Sequence, residues 1–99
     1  MRAIPTFRVA ASLLAAMFSG FLAAGRWSET RGENILDTGA PFYDVYATAD
    51  GRHMAVGALE PQFYQLLIEK CGLSGQGLET AQFDLRRWPE IKQRFAELF

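Results

Sequence analysis

One cysteine, one histidine and four prolines in 99 residues leave little material for several kinds of chemistry. A lone Cys71 excludes an intrachain disulfide, and its place beside Leu67 and Ile68 near a helix end suits a buried thiol in a reduced, cytoplasmic setting. No metal-ligand cluster, no glycine-rich phosphate loop and no Ser-His-Asp set is present. The 10 basic residues against 11 acidic ones give a net charge of -1, so the basic surplus that a nucleic-acid partner requires is missing. There is no internal repeat. What remains is an ordinary globular composition, 49% hydrophobic and 21% charged, on a chain long enough for one small domain with a modest core.

The strongest local signals fall between Arg31 and Tyr64, RGENILDTGAPFYDVYATADGRHMAVGALEPQFY. Asp37-Thr38-Gly39-Ala40-Pro41 reads as a turn, with Gly39 free to take positive φ and Pro41 pushing Ala40 out of the helical region. A strand follows, in which Val45, Ala47 and Ala49 alternate with Asp44, Tyr46 and Thr48. Asp50-Gly51 is a two-residue hairpin signal, and the strand returns over 52–59. Its run from Met54 to Leu59 is apolar on both faces, as in a strand covered on both sides, or one whose Gly57 admits another backbone. Glu60-Pro61 then opens a helix that runs to about Cys71. Pro61 suits its first position, and the Glu60 carboxylate is placed to accept from the free amides of the first turn.

Glu60 therefore carries two readings. It caps a helix, or, standing at the end of a buried strand between Leu59 and Phe63, it has its protonation tuned by desolvation or by a paired base. His53, inside the returning strand, reads as a surface or edge residue. Trp27 reads as a packing anchor. Arg31 is either a solvated arginine or a phosphate contact.

The stretch from RGENILDTGAPFY through TADG to VGALEPQFY resembles the alpha-methylacyl-CoA racemase branch of the family III CoA-transferases. The likeness extends at lower density back to Ser12 and forward to Phe99, while the first eleven residues match nothing familiar. The resemblance implies an α+β module resembling the small-domain part of such an enzyme, with an apolar N-terminal helix, a β-hairpin and two C-terminal helices: 1–30 is the apolar helix and connection, from the large-domain side of the family fold or signal-like, and 31–99 is the small-domain module. It implies removal and return of the proton next to the thioester carbonyl of a 2-methyl-branched acyl-CoA, without metal or organic cofactor. In the family a His assisted by a Glu faces an Asp across the substrate, and the Glu position is Glu60 here. The His and Asp, and the CoA-binding portion, have no counterpart in these residues, and His53 is not that His. The chain is thus expected to be an internal piece, inactive alone. The family's interlocked dimers imply a homo-oligomer or association with a full-length homologue. A CoA-transferase fragment, a non-catalytic remnant and a small exported protein are the alternatives.

The exported reading rests on residues 1–24, whose basic start, apolar middle and small residues at the end are signal-like. Against it, the apolar run is interrupted and short for a membrane span. Leu13, Leu14, Met17, Phe18, Phe21 and Leu22 recur at helical spacing, as in a helix buried against a partner domain. Residues 28–34 form a solvated connection. Beyond Glu60, Phe63, Leu66, Leu67 and the stem of Lys70 form one side of the helix with Tyr64 and Ile68 close by, and Gly72 ends it with Leu73 folding back. Residues 74–80 are loop-like. A last helix starts near Trp88 with Pro89 at its first position and an apolar stripe of Ile91, Phe95 and Leu98.

Overall fold

The computed structural model describes residues 3–99. The elements are α1 (Ala3–Ala23), β1 (Tyr43–Ala47), β2 (His53–Gly57), α2 (Pro61–Lys70), a 3-10 turn (Leu85–Arg87) and α3 (Trp88–Leu98). The fold is α+β, with three helices and one two-stranded antiparallel sheet, and it divides into two compact units between Thr30 and Arg31.

In the first unit, α1 is longer than the interrupted apolar run suggests. Ser12, Ser19 and Gly20 weaken a helix without ending it, and Pro5 lies in the first turn, where its missing N–H costs nothing. The resulting 21 residues are long and apolar enough to cross a membrane by length and composition, which corrects the expectation of a run too short to span. No residue of α1 is buried, so the packed-helix pattern finds no cover here. Its end is a Schellman cap. Gly25 takes φ 67°, and the amides of Gly25 and Arg26 donate to the carbonyls of Leu22 (3.1 Å) and Phe21 (2.8 Å). Trp27 then turns back on the rings of Phe18 and Phe21, with centroids 5.0 and 6.5 Å away.

The second unit is built around Phe42, which is fully buried. Its ring meets Tyr64, Phe83 and Trp88 edge-on at 5.8, 5.6 and 6.0 Å, the arrangement that aromatic quadrupoles favour. Ile68, Leu73, Leu78, Ile91 and Phe95 complete the core. The buried hydroxyls and indole are satisfied by main-chain oxygens. Tyr46 donates to Pro41 at 2.6 Å, Tyr64 to Leu78 at 2.8 Å and Trp88 to Gln82 at 2.8 Å. Burial, aided by the Asp44 charge, pushes the Tyr46 hydroxyl far above its usual range.

Several of the faces that turn inward differ from the apolar periodicity. In β1 the buried residue is Tyr46 while Val45 is exposed. Asp44, on the Tyr46 side, pairs at 2.7 Å with Lys92 of α3, whose ammonium also donates to the Thr38 carbonyl. In α2 the inward residues are Tyr64 and Ile68, whereas Phe63 and Leu66 are half-exposed and Leu67 packs at the core's edge. In α3 the stripe is Trp88, Ile91 and Phe95, Leu98 points to solvent, and Pro89 is the second helical residue rather than the first. The strand β2 is exposed except at Val56, so it is not covered on two sides. The cap of α2 is as expected: the amides of Gly72 and Leu73 bond the carbonyls of Glu69 and Ile68, and Leu73 is buried beside Ile68. Cys71 is half-buried, and burial raises its thiol pKa.

Two turns also depart from expectation. The hairpin loop is longer than two residues: the Gly51 amide bonds the Thr48 carbonyl, the Thr48 amide bonds the Arg52 carbonyl, and only Gly51 (φ 81°) is left-handed. That is a turn closed by a glycine bulge, not a primed two-residue turn. In the loop before β1, Thr38 takes the positive φ (73°), not Gly39. Gly39 is needed for room. A Cβ there would lie 2.5 and 2.6 Å from the carbonyl oxygen and amide nitrogen of Asn34 and 2.8 Å from the carbonyl carbon of Glu33. The loop closes on Asp37, whose carboxylate accepts from the Gly32 amide (3.0 Å), the Asn34 amide (2.7 Å) and the Asn34 side chain (2.7 Å).

Gly39→Ala is therefore expected to destabilise the chain by about 1–3 kcal/mol, the range for forced overpacking. Gly57→Ala, whose Cβ would meet only the Tyr43 ring at 4.0 Å, is expected to stay within about 0.5 kcal/mol; urea midpoints measure both. Desolvation works to raise the Asp37 pKa, but the hydrogen bonds from Asn34, Gly32 and Gly39 outweigh it and the net shift is downward. A depressed folded-state pKa stabilises above the unfolded value and is lost below it. The stability gap between wild type and Asp37→Ala should accordingly be full at neutral pH and shrink below about pH 4.

Candidate functional site

The junction between β2 and α2 is held from three sides. The Ala58 amide donates to the Phe42 carbonyl at 2.9 Å. The Leu59 carbonyl accepts from Gln82 Nε2 at 2.8 Å. The Glu60 carbonyl accepts from the amides of Phe63 (2.9 Å) and Tyr64 (3.0 Å), which begins α2. Pro61 follows at the start of the helix, where its fixed φ is already helical.

Glu60 occupies the N-cap position with φ -71° and ψ 139°, yet its side chain makes no capping hydrogen bond. Its role in starting α2 belongs to the backbone carbonyl. The desolvated setting expected for it is absent as well: Glu60 is exposed, and so are Leu59 and Phe63 on either side. The exposed carboxylate projects from a backbone hydrogen-bonded at Ala58, Leu59 and Glu60, so it can serve as hydrogen-bond acceptor to a group brought against it.

The remaining candidates are not gathered here. His53 is exposed at the start of β2, facing Ala47 across the hairpin. Arg31 is exposed at the start of the second unit. Trp27 packs on α1, in the first unit. Among the described residues no group of three or more His, Cys, Asp or Glu is placed to hold a metal ion. Among the described residues one shallow depression lies on the outer hairpin face at Leu36, Tyr43, Val45 and Ala55, and another between the Gly39 loop and Arg86, Trp88 and Lys92. Glu60 lines neither. Sequence reasoning missed Gln82 and the Lys92–Asp44 pair, because both act across long separations that no local pattern records.

A family model described as CoA-transferase family III matches residues 3–99. The match thus begins ahead of Ser12 and takes in residues 3–11 of the stretch that resembled nothing, so α1 lies inside it. Over 75 residues the chain is 55% identical to an alpha-methylacyl-CoA racemase of Mus musculus, covering 76% of this chain and 19% of that protein. It is 55% identical over 73 residues to the alpha-methylacyl-CoA racemase of Homo sapiens, covering 74% of the chain and 19% of the relative. A CaiB/baiF CoA-transferase family protein of Caenorhabditis elegans is 32% identical over 65 residues, 60% of this chain and 19% of its own length. The chain therefore spans about one fifth of the length of these relatives. A match of 75 residues in 99 leaves 24 outside it, so it must include residues 25–75, and with them Glu60.

Because its carboxylate caps nothing, Glu60→Gln should leave the urea midpoint of the chain within about 0.5 kcal/mol of wild type. A loss of about 1 kcal/mol, typical of a removed cap, would show that the side chain does hold the helix.

Proposed function

Since the chain belongs to CoA-transferase family III, we propose that it is the Glu60-bearing portion of an alpha-methylacyl-CoA racemase. The observation that carries this reading is that the segment 55% identical to two such racemases includes a carboxylate presented, unbonded, from a main chain pinned on both sides. The substrate class is a 2-methyl-branched acyl-CoA thioester. Its carbonyl withdraws charge from the neighbouring carbon, which makes the hydrogen there removable by a positioned base. Removal from one face leaves an enolate, and return of a proton to the other face inverts the centre, with no net redox change and no cofactor.

Glu60 does not take that proton itself. Its part is to accept a hydrogen bond from the imidazole of a histidine outside these residues, stabilising the charged form that the imidazole adopts once it holds the proton. The second base, an aspartate across the substrate, and the CoA-binding groups are likewise supplied from outside. The isolated chain is accordingly inactive. A reduced, cytoplasmic compartment fits the single half-buried thiol.

A second reading, that the chain is a non-catalytic module associating with a full-length homologue, draws on the exposed apolar side chains of α1 and of Tyr43 and Val45.

The deciding experiment is exchange of the alpha proton of a 2-methylacyl-CoA in deuterated water, with the 99-residue chain alone and with the portion of the mouse racemase that precedes its matched segment. Exchange is expected only in the mixture, and Glu60→Ala is expected to reduce it about 100-fold, the upper part of what one acid–base group contributes being larger still. Exchange by the chain alone contradicts the proposal. A stable, folded mixture without exchange favours the associating module.

A further inference from the structure

Gln82 is a buried polar side chain that the hydrophobic core does not need. It is 6% exposed, and its Nε2 reaches across 23 residues of sequence to the Leu59 carbonyl at 2.8 Å. Its own main-chain carbonyl accepts the Trp88 indole N–H at 2.8 Å, so the backbone carrying Gln82 is fixed to the start of α3. A carboxamide buried without partners is destabilising, and an apolar side chain of equal size would fill the space without that risk. The bond to Leu59 is what the amide accomplishes there.

Its position gives that bond a consequence. The Leu59 carbonyl belongs to the peptide unit that ends at the Glu60 nitrogen. On the near side, Ala58 is tied to Phe42; on the far side, the Glu60 carbonyl is engaged by the first turn of α2. Without Gln82 the unit between them would be unanchored, and the Cα from which the Glu60 carboxylate projects would be free to shift.

We propose that Gln82 is a positioning residue for Glu60: its buried amide locks the Leu59–Glu60 peptide and thereby fixes where the carboxylate meets its partner. This rests on the reading of Glu60 as the helper of an imidazole. Gln82 touches no substrate and moves no proton. It acts through geometry alone, and a displacement of about 1 Å at a catalytic group can cost about 100-fold in rate.

Two variants of the full chain test it. Gln82→Met keeps the volume and removes the donor. Gln82→Glu restores a donor only when its carboxyl is protonated, so the lock should hold at acid pH and open as the group ionises. By nitrogen-15 relaxation, the Glu60 amide order parameter is expected to fall from about 0.85 to below about 0.6 in Gln82→Met, with Tyr64 and Ile68 unchanged. In Gln82→Glu it is expected to fall only on the alkaline side. An unchanged Glu60 order parameter in both variants overturns the proposal. In the mixture with the mouse racemase portion, Gln82→Met should lower kcat for exchange at least 10-fold with KM unchanged, and a wild-type kcat overturns the proposal. If instead Glu60→Gln retains wild-type kcat, it is the role of Glu60 that fails, and the order parameters alone then decide whether Gln82 locks the junction.

Discussion

The burial of Phe42 is the contact on which the second unit depends. Three rings from three segments, Tyr64 of α2, Phe83 of the loop and Trp88 of α3, close on it edge-first. Such pairs add about 0.5–1.5 kcal/mol each beyond the area they bury, which is substantial where net stability amounts to about 0.05–0.15 kcal/mol per residue. The same residue's carbonyl holds the Ala58 amide. One amino acid thus gathers the core by its side chain and fixes the end of the hairpin by its backbone.

From that point the candidate site follows by short steps. Ala58 is tied to Phe42, Leu59 to Gln82 and Glu60 to the first turn of α2. Gln82 is in turn coupled to the core through Trp88. Hydrogen bonds hold the backbone on either side of Glu60, and the carboxylate itself is left unengaged. That division suits a residue whose partner arrives from elsewhere in a larger protein, since a carboxylate already bonded to its own helix would have to break that bond first.

Much of this was legible in the sequence, for physical reasons that can be traced. The hairpin, the proline-started helices and the Gly72 cap with Leu73 behind it were readable because each depends on residues within a few positions of one another. The inward faces of β1, α2 and α3 were not. Counting apolar residues favoured Val45, Phe63 and Leu98, whereas Tyr46, Tyr64 and Trp88 turn inward with their polar tips received by the carbonyls of Pro41, Leu78 and Gln82, which apolar counting does not register. Gly39 was recognised as a turn glycine but for the wrong reason, since what it supplies is space against Asn34. Glu60 was singled out by its motif and by its place before Pro61. Its free side chain could be seen only once the backbone carbonyl was found to start the helix alone.

The most direct measurement is a crystal structure of this chain bound to the preceding portion of the mouse racemase with a 2-methylacyl-CoA in place. The account predicts the Glu60 carboxylate at hydrogen-bond distance, about 2.6–3.2 Å, from an imidazole nitrogen of that portion, with the other nitrogen facing the carbon next to the thioester carbonyl. A Glu60 side chain still in solvent, or turned back onto the amides of α2, would contradict it.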